Sequence, residues 1–282
     1  MDERRHERGS RHSSIPDPDM VNRAIFERAA ARLRLATQGQ GTIPPLRDCL
    51  APDDVEGAYA VQDVNTRHGL ASGRRIVGYK IGLTSIALQQ RLGISEPDFG
   101  ILFEDMRVAD GGTLPAGAVL QPRVEGEIAV VLRCDVPSRT ATAGDMREAV
   151  VAAFPAIEIV GSRIGDWAIT AADTIADNGS AGAFVIGDTP LPLSHLSELH
   201  MSLRIDGAIV GEGLGSAALG DPLEALAWLA RKVAGRGHPL CAGDIVLTGA
   251  LAPMCPLPPD ALVEVDMAGS GSVRFRSGAH PA

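Results

Sequence analysis

The chain has 282 residues, enough to bury a sizeable core as one large domain, or as a main domain with a small helical appendage. A formal net charge of −9 disfavours nucleic acid and anionic membranes as partners, because such binding is carried by Lys and Arg neutralising phosphates. Hydrophobic residues at 45% and charged residues at 22% are globular proportions, and 32 Gly with 19 Pro suggest many turns around strands in a β-rich, soluble protein.

Residues 1–19, MDERRHERGSRHSSIPDPD, have almost nothing to bury and are expected to form a disordered tail. From Val21 to about Thr37, Ile25, Ala29, Leu33 and Leu35 roughly follow a helical period, and the Gly/Pro-rich stretch 39–45 ends the element. A second helix starts at the acidic cap Asp53 or Asp54 and runs through Tyr59 and Val61 to the region of Gly69. These two helices read as an N-terminal helical subdomain over 20–73. From 74 to 282 the texture changes to short β-type runs at 76–83, 124–132, 156–160, 183–186, 201–205, 245–247, 262–265 and 273–275. Helices near 145–154 and 222–233 interrupt them. The expectation is an α+β fold with a mixed β-roll or barrel, not a doubly wound sheet. No internal repeat of solenoid period is present.

Cys49, Cys134, Cys241 and Cys255 form no C-x-x-C pair, which reads as free thiols in a reducing cytoplasm. The longest apolar run, 149–157, is far shorter than the ~18 residues a bilayer needs, so no membrane segment is expected.

In VEGEIAVVL, strand alternation puts Glu125 and Glu127 on one face, with Cα atoms roughly 6.6 Å apart. Glu158 lies in the apolar run PAIEIVG, where an unpaired charge is costly to bury. Three converging carboxylates repel one another, and a hard divalent cation resolves the conflict. The alternative places Glu125 and Glu127 on a solvated edge and pairs Glu158 with an arginine such as Arg163. In GYKIGLTS, Lys80 interrupts an apolar run, either snorkelling to solvent or kept for a buried anion. Asp98 follows Pro97, a turn-forming context as much as a functional one. In DTIADNGSAG, Asn178 and Ser180 stand among small residues, suiting close approach of backbone to a ligand or simply a tight turn.

Two signatures fail. Asn178 takes the first glycine position of G-x-S-x-G around Ser180, and Ser216 takes the last glycine position of G-x-G-x-x-G. None of the seven histidines has the H-x-x-x-H spacing suggestive of zinc, and His195 and His200 are expected in or near a surface loop.

The stretches RRIVGYKIGLTS, EPDFGILFEDM, LQPRVEGEIAVVL, PAIEIVGSRIGDW, DTIADNGSAG and LTGALAPM resemble, in order, those of the 2-keto-4-pentenoate hydratases of meta-cleavage aromatic degradation, within the fumarylacetoacetate hydrolase superfamily. The likeness covers roughly 45–275. It implies a mixed β-roll of the fumarylacetoacetate hydrolase C-terminal type. It also implies Glu125, Glu127 and Glu158 as ligands of Mg2+ or Mn2+, Lys80 and Asp98 as acid–base residues, and Ser180 near the substrate carboxylate. The implied substrate is a small 2-oxo or 2-hydroxy acid, 2-hydroxypenta-2,4-dienoate, hydrated to 4-hydroxy-2-oxopentanoate, and a homo-oligomer is expected. Gly126 and Gly179 stand where the family pattern has Ala. Competing readings are a 4-oxalocrotonate-type decarboxylase, a 2-oxohept-4-ene-1,7-dioate hydratase and, from another class, a non-catalytic acidic metal-binding protein.

Overall fold

The computed structural model describes residues 18–85, residue 89 and residues 94–279. The expected tail lies outside them, except for Pro18 and Asp19, which stand in the first turn of helix α1 (Pro18–Leu35). Ala29, Ala30 and Leu33 turn one face of this helix inward, and a five-residue π-helical turn, with Gly39 at φ 91°, ends it. Helix α2 (Val55–Ala71) starts where Asp54 accepts the Gly57 amide at 2.9 Å, an ordinary N-cap.

Then follow β1 (Ile76–Gly82), β2 (Asp98–Phe103), β3 (Arg107–Val108), β4 (Thr113–Leu114), β5 (Arg123–Leu132), α3 (Ala143–Ala149), β6 (Val150–Val160), α4 (Ala171–Ala176) and β7 (Ala181–Ile186). The chain continues through β8 (His200–Ile205), β9 (Ala208–Leu214), α5 (Pro222–Gly235), β10 (Ile245–Leu247), β11 (Cys255–Pro256), β12 (Leu262–Asp266) and β13 (Ser272–Ser277). One sheet runs β2-β1-β10-β5-β6-β7-β3, with β11 added to β5, and the other runs β4-β13-β12-β8-β9. The pairs β1/β10, β3/β7 and β4/β13 are parallel among otherwise antiparallel neighbours. The result is the expected α+β roll with mixed sheets.

Register positions the site, because directly opposed residues on neighbouring strands share a face. One row reads Gly100, Lys80, Leu247, Ala129, Phe154. Adjacent positions carry Asp98 opposite Gly82, Glu127 opposite Ala156, and Glu125 opposite Glu158 and then Phe184. The other face of β5 supplies Val124, Ile128, Val130 and Leu132 to the main core. At Gly126 an added Cβ would come within 2.7 Å of Met201 Sδ and 3.1 Å of Val265 Cγ2. The missing methyl is therefore where the first sheet closes on the second.

The N-terminal helices are tied to this roll by buried hydrogen bonds. Gln62 on α2 donates from Nε2 to the carbonyls of Phe99 on β2 (2.9 Å) and Ile175 on α4 (3.1 Å). Asp173 on α4 accepts the Leu46 amide at 2.9 Å.

Two expectations about local structure need correction. The helix expected over 145–154 ends at Ala149, after a capping box between Thr142 and Asp145, and Val150 and Val151 already run extended into β6, as β-branched residues favour. Asp98 opens a buried strand and is not a turn residue. His195 sits in a short 3-10 segment and His200 begins β8, both with exposed side chains. Among the described residues no helix is long and apolar enough to cross a membrane.

Candidate active site

Strands β5 and β6 are interior neighbours in the sheet, so no solvated edge is available to Glu125 or Glu127. One carboxylate oxygen from each of Glu125, Glu127 and Glu158 lies within 4.8 Å of the other two. Glu127 and Glu158 are 0% exposed, and Glu125 is half-buried. Arg163, the alternative counterion, faces Asp177 instead. The Gly249 amide donates to Glu127 Oε2 at 2.8 Å, and Lys80 Nζ approaches Glu158 Oε1 to 3.4 Å. No hydrogen-bond donor reaches Glu127 Oε1 or either oxygen of Glu158. Buried carboxylate oxygens left this way are costly.

Electrostatics express the same excess of negative charge. Burial, then the Glu158 charge, pushes Glu125 up to about 7 against the pull of Lys80. Burial, with Glu158 and Glu125, raises Glu127 well above the carboxylate range. Glu158 is also raised by burial, with Lys80 opposing. An oxygen-only set of three carboxylates with orphaned lone pairs fits a hard divalent cation, which takes such ligands and displaces such protons.

Lys80 is 3% exposed, so it does not snorkel. Burial works against its ammonium, but Glu158, Asp98, Glu125 and Glu127 outweigh that and hold it protonated. Its Nζ donates to the Gly179 carbonyl at 2.9 Å. Asp98 is 2% exposed, and its Oδ1 has no hydrogen-bond donor. Burial raises the Asp98 carboxyl, while Lys80 and a backbone hydrogen bond from Gly82 pull it back. A Cβ at Gly82 would collide with Asp98 Oδ1 and come within 3.1 Å of Lys80 Nζ. The same glycine thus makes room for both groups.

Ser180 closes the site from a turn in which Asn178, Gly179 and Ser180 have φ of 58°, 59° and 58°. A left-handed run costs on the order of 1 kcal/mol or more for each non-glycine residue, so the surroundings must hold it. Asn178 pins it to β2 by accepting the Ile101 amide at 2.7 Å and donating to the Ile101 carbonyl at 2.9 Å. The Ser180 and Thr174 hydroxyls lie 3.0 Å apart, both buried. At Gly179 a Cβ would meet Gly100 N and Lys80 Cδ at 3.2 Å, so glycine removes both strain and crowding there.

The structure brings all six residues singled out from the sequence into one region. It adds four that the sequence did not single out: the Gly249 amide, the Thr174 hydroxyl, and the space left by Gly82 and Gly100. Gly249 lies in LTGALAPM, and at φ 110° against the Thr84 side chain only glycine serves; a glycine inside a strand-like run was the available signal for the other two.

A family model for the fumarylacetoacetate (FAA) hydrolase C-terminal domain matches residues 88–276. Together with the mixed roll and its buried carboxylates, this places the class of protein: the chain belongs to the fumarylacetoacetate hydrolase family. Among particular relatives, it is 49% identical over 249 residues to 2-keto-4-pentenoate hydratase 1 of Dechloromonas aromatica (strain RCB), covering 88% of this chain and 95% of that one. It is 39% identical to 2-hydroxyhexa-2,4-dienoate hydratase of Comamonas testosteroni, covering 91% and 99%. The solved structure of 4-oxalocrotonate decarboxylase from Pseudomonas putida G7, complexed with magnesium and adipate, superposes with a TM-score of 0.86 at 30% identity, covering 90% of this chain and 98% of that one.

Proposed function

We propose that this protein is a metal-dependent hydro-lyase that converts 2-hydroxypenta-2,4-dienoate to 4-hydroxy-2-oxopentanoate. The observation that carries the reading is the set of three converging carboxylates, two of them fully buried with oxygens left unpaired, beside a buried lysine. Relatives named 2-keto-4-pentenoate hydratase at 46–49% identity over 87–88% of the chain support the substrate. Glu125, Glu127 and Glu158 would hold Mg2+ or Mn2+, which when bound supplies Lewis acidity for the developing enolate.

The chain's own groups divide the remaining work. Ser180, its hydroxyl fixed by Thr174, binds the substrate carboxylate. Ketonisation removes the proton from the C2 hydroxyl and adds one at C5, leaving a C3–C4 double bond conjugated to the ketone. Water then adds its oxygen at C4 while a proton goes to C3. Lys80, held as an ammonium, is suited to orient and donate, and Asp98, with a raised carboxyl and a free Oδ1, is suited to accept the proton of the attacking water. The apolar wall of Leu247, Ala129, Ala156 and Phe184 keeps these groups in a low dielectric, where their charges act most strongly.

Decarboxylation of a 2-oxo-hexenedioate and hydration of 2-oxohept-4-ene-1,7-dioate are the second readings, favoured by the 4-oxalocrotonate decarboxylase likeness. Both need a cation for a second carboxylate. Among the described residues, Lys80 is the one cation felt at Glu125, Glu127, Glu158 and Asp98 alike, and it is already engaged. A purely cation-binding protein would have no use for that lysine. The deciding assay offers the Mg2+- or Mn2+-loaded protein 2-hydroxypentadienoate and 2-oxo-hexenedioate, measuring hydrated product and CO2 separately. Hydration of the first without CO2 from the second supports the proposal, and the reverse pattern overturns it.

The same proposal divides the chain into a helical subdomain over 20–73 and a catalytic domain over 74–282. It places the protein in the cytoplasm, consistent with the free thiols of Cys49, Cys134, Cys241 and Cys255. It includes a homo-oligomer, supported by exposed Ile209, Val210 and Leu214 on edge strand β9.

A further inference from the structure

We infer that Arg163 is a positioning residue, clamping both ends of the left-handed Asn178–Gly179–Ser180 turn and so setting Lys80 and Ser180 for the reaction. The inference rests on the functional reading above. Arg163 lies just past β6; its carbonyl accepts the Ile43 amide at 2.8 Å, whereas its hydrogen-bond donors all go to one short segment. Its backbone amide donates to Asp177 Oδ2 at 2.9 Å and its Nε to Asp177 Oδ1. Its Nη2 donates to the Asp177 carbonyl at 2.6 Å and its Nη1 to the Ala181 carbonyl at 3.0 Å. Those two carbonyls belong to the residues immediately before and after the turn.

A planar fork with fixed donor directions can bridge two such carbonyls, which a point-charge ammonium cannot do equally well. The clamp is needed because three consecutive left-handed residues are not self-stabilising. Its two ends belong to different elements, Asp177 closing α4 and Ala181 opening β7. Inside the clamped segment, the Gly179 carbonyl accepts from Lys80, the Ser180 carbonyl accepts from the Gly161 amide at 2.8 Å, and the Ser180 hydroxyl meets Thr174. If the turn relaxes, the Gly179 carbonyl leaves Lys80, and the ammonium is left to the surrounding carboxylates, of which Glu158 is in contact. The reacting groups then move while the carboxylate cluster stays.

The sequence offers a direct readout, since the only lysines are Lys80 and Lys232. In Mg2+-loaded protein labelled at the lysine ε-carbon, two side-chain signals are expected, and Arg163→Met should shift that of Lys80 while sparing that of Lys232. Mn2+ affinity should stay within about threefold, and kcat on 2-hydroxypentadienoate should fall roughly tenfold or more, the scale of a small misplacement of reacting groups. Arg163→Lys, which keeps the charge but not the fork, should recover part of kcat; if Arg163→Met does not fold, this variant alone should still show the Lys80 shift and a lowered kcat with near-normal Mn2+ affinity. A folded variant with an unmoved Lys80 signal and wild-type kcat would overturn the inference, as would Mn2+ affinity falling in step with kcat. Wild-type protein inactive on the dienol would count against the functional reading instead, because the Lys80 signal reports the clamp without turnover.

Discussion

Among the described residues two buried ion pairs, each a cation against a carboxylate, are left in opposite conditions. Arg163 and Asp177 satisfy each other: both carboxylate oxygens receive donors, and each of the two remaining guanidinium nitrogens donates to a carbonyl. Lys80 and Glu158 do not. Their contact is a loose 3.4 Å, both Glu158 oxygens lack a hydrogen-bond donor, and two further carboxylates crowd the same face. A satisfied buried pair serves shape, whereas an under-satisfied one in a dry site is where binding and proton chemistry are to be expected.

The sharpest way to break this comparison is to remove the groups on its reactive side. Lys80→Met and Asp98→Asn should each lower kcat by roughly 10²–10⁴, the usual scale for a positioned acid or base, with cation binding retained. Steady-state kinetics beside a thermal melt decides it; near-normal kcat with a lowered melting temperature would return both residues to structural roles. Next in size, Glu158→Gln should weaken Mn2+ binding about 10²-fold in calorimetric titration while leaving the fold intact, because the amide keeps shape and loses charge. Unchanged affinity would make Glu158 simply the partner of Lys80.

A smaller effect follows from protonation. Burial raises Glu125 from an ordinary 4.5 to about 7 and raises Glu127 and Glu158 as well, so the folded, cation-free protein holds protons that the unfolded chain has released. Its stability should therefore fall as pH rises from about 4.5 through about 7. A bound cation displaces those protons and should flatten the fall, with affinity increasing over the same window. Melting curves against pH, with EDTA and with Mg2+, check both halves. The smallest effect is expected for a chain starting at Met20, which should keep its melting temperature and rate, since the residues removed carry little apolar surface.

How much of this was legible in the sequence differs by residue. The Glu125 and Glu127 pair was readable because strand alternation alone fixes their common face. Glu158 was visible as a charge in an apolar run, but its convergence depends on β5–β6 register, which strand alternation alone does not encode. Lys80 stayed ambiguous because burial depends on β1 lying between β2 and β10. The strand at Asp98–Phe103 was hidden behind a proline and an aspartate that read as a turn, and α4 has too few residues for periodicity to speak. The run 149–157 is apolar throughout, so helix and strand look alike in it; the short helix capped at Thr142 gives way to β6 at the β-branched pair Val150 and Val151. Arg163 was named only as a counterion for the wrong acid; its true partner, Asp177, is found only once α4 and β7 are in place.

Catalysis at this site depends most directly on the cation. Protein stripped with EDTA, verified free of metal and assayed by the ultraviolet loss of 2-hydroxypentadienoate, should show no turnover, and Mg2+ or Mn2+ should restore it. Full turnover in verified metal-free protein would contradict the claim that Glu125, Glu127 and Glu158 serve as a catalytic metal site.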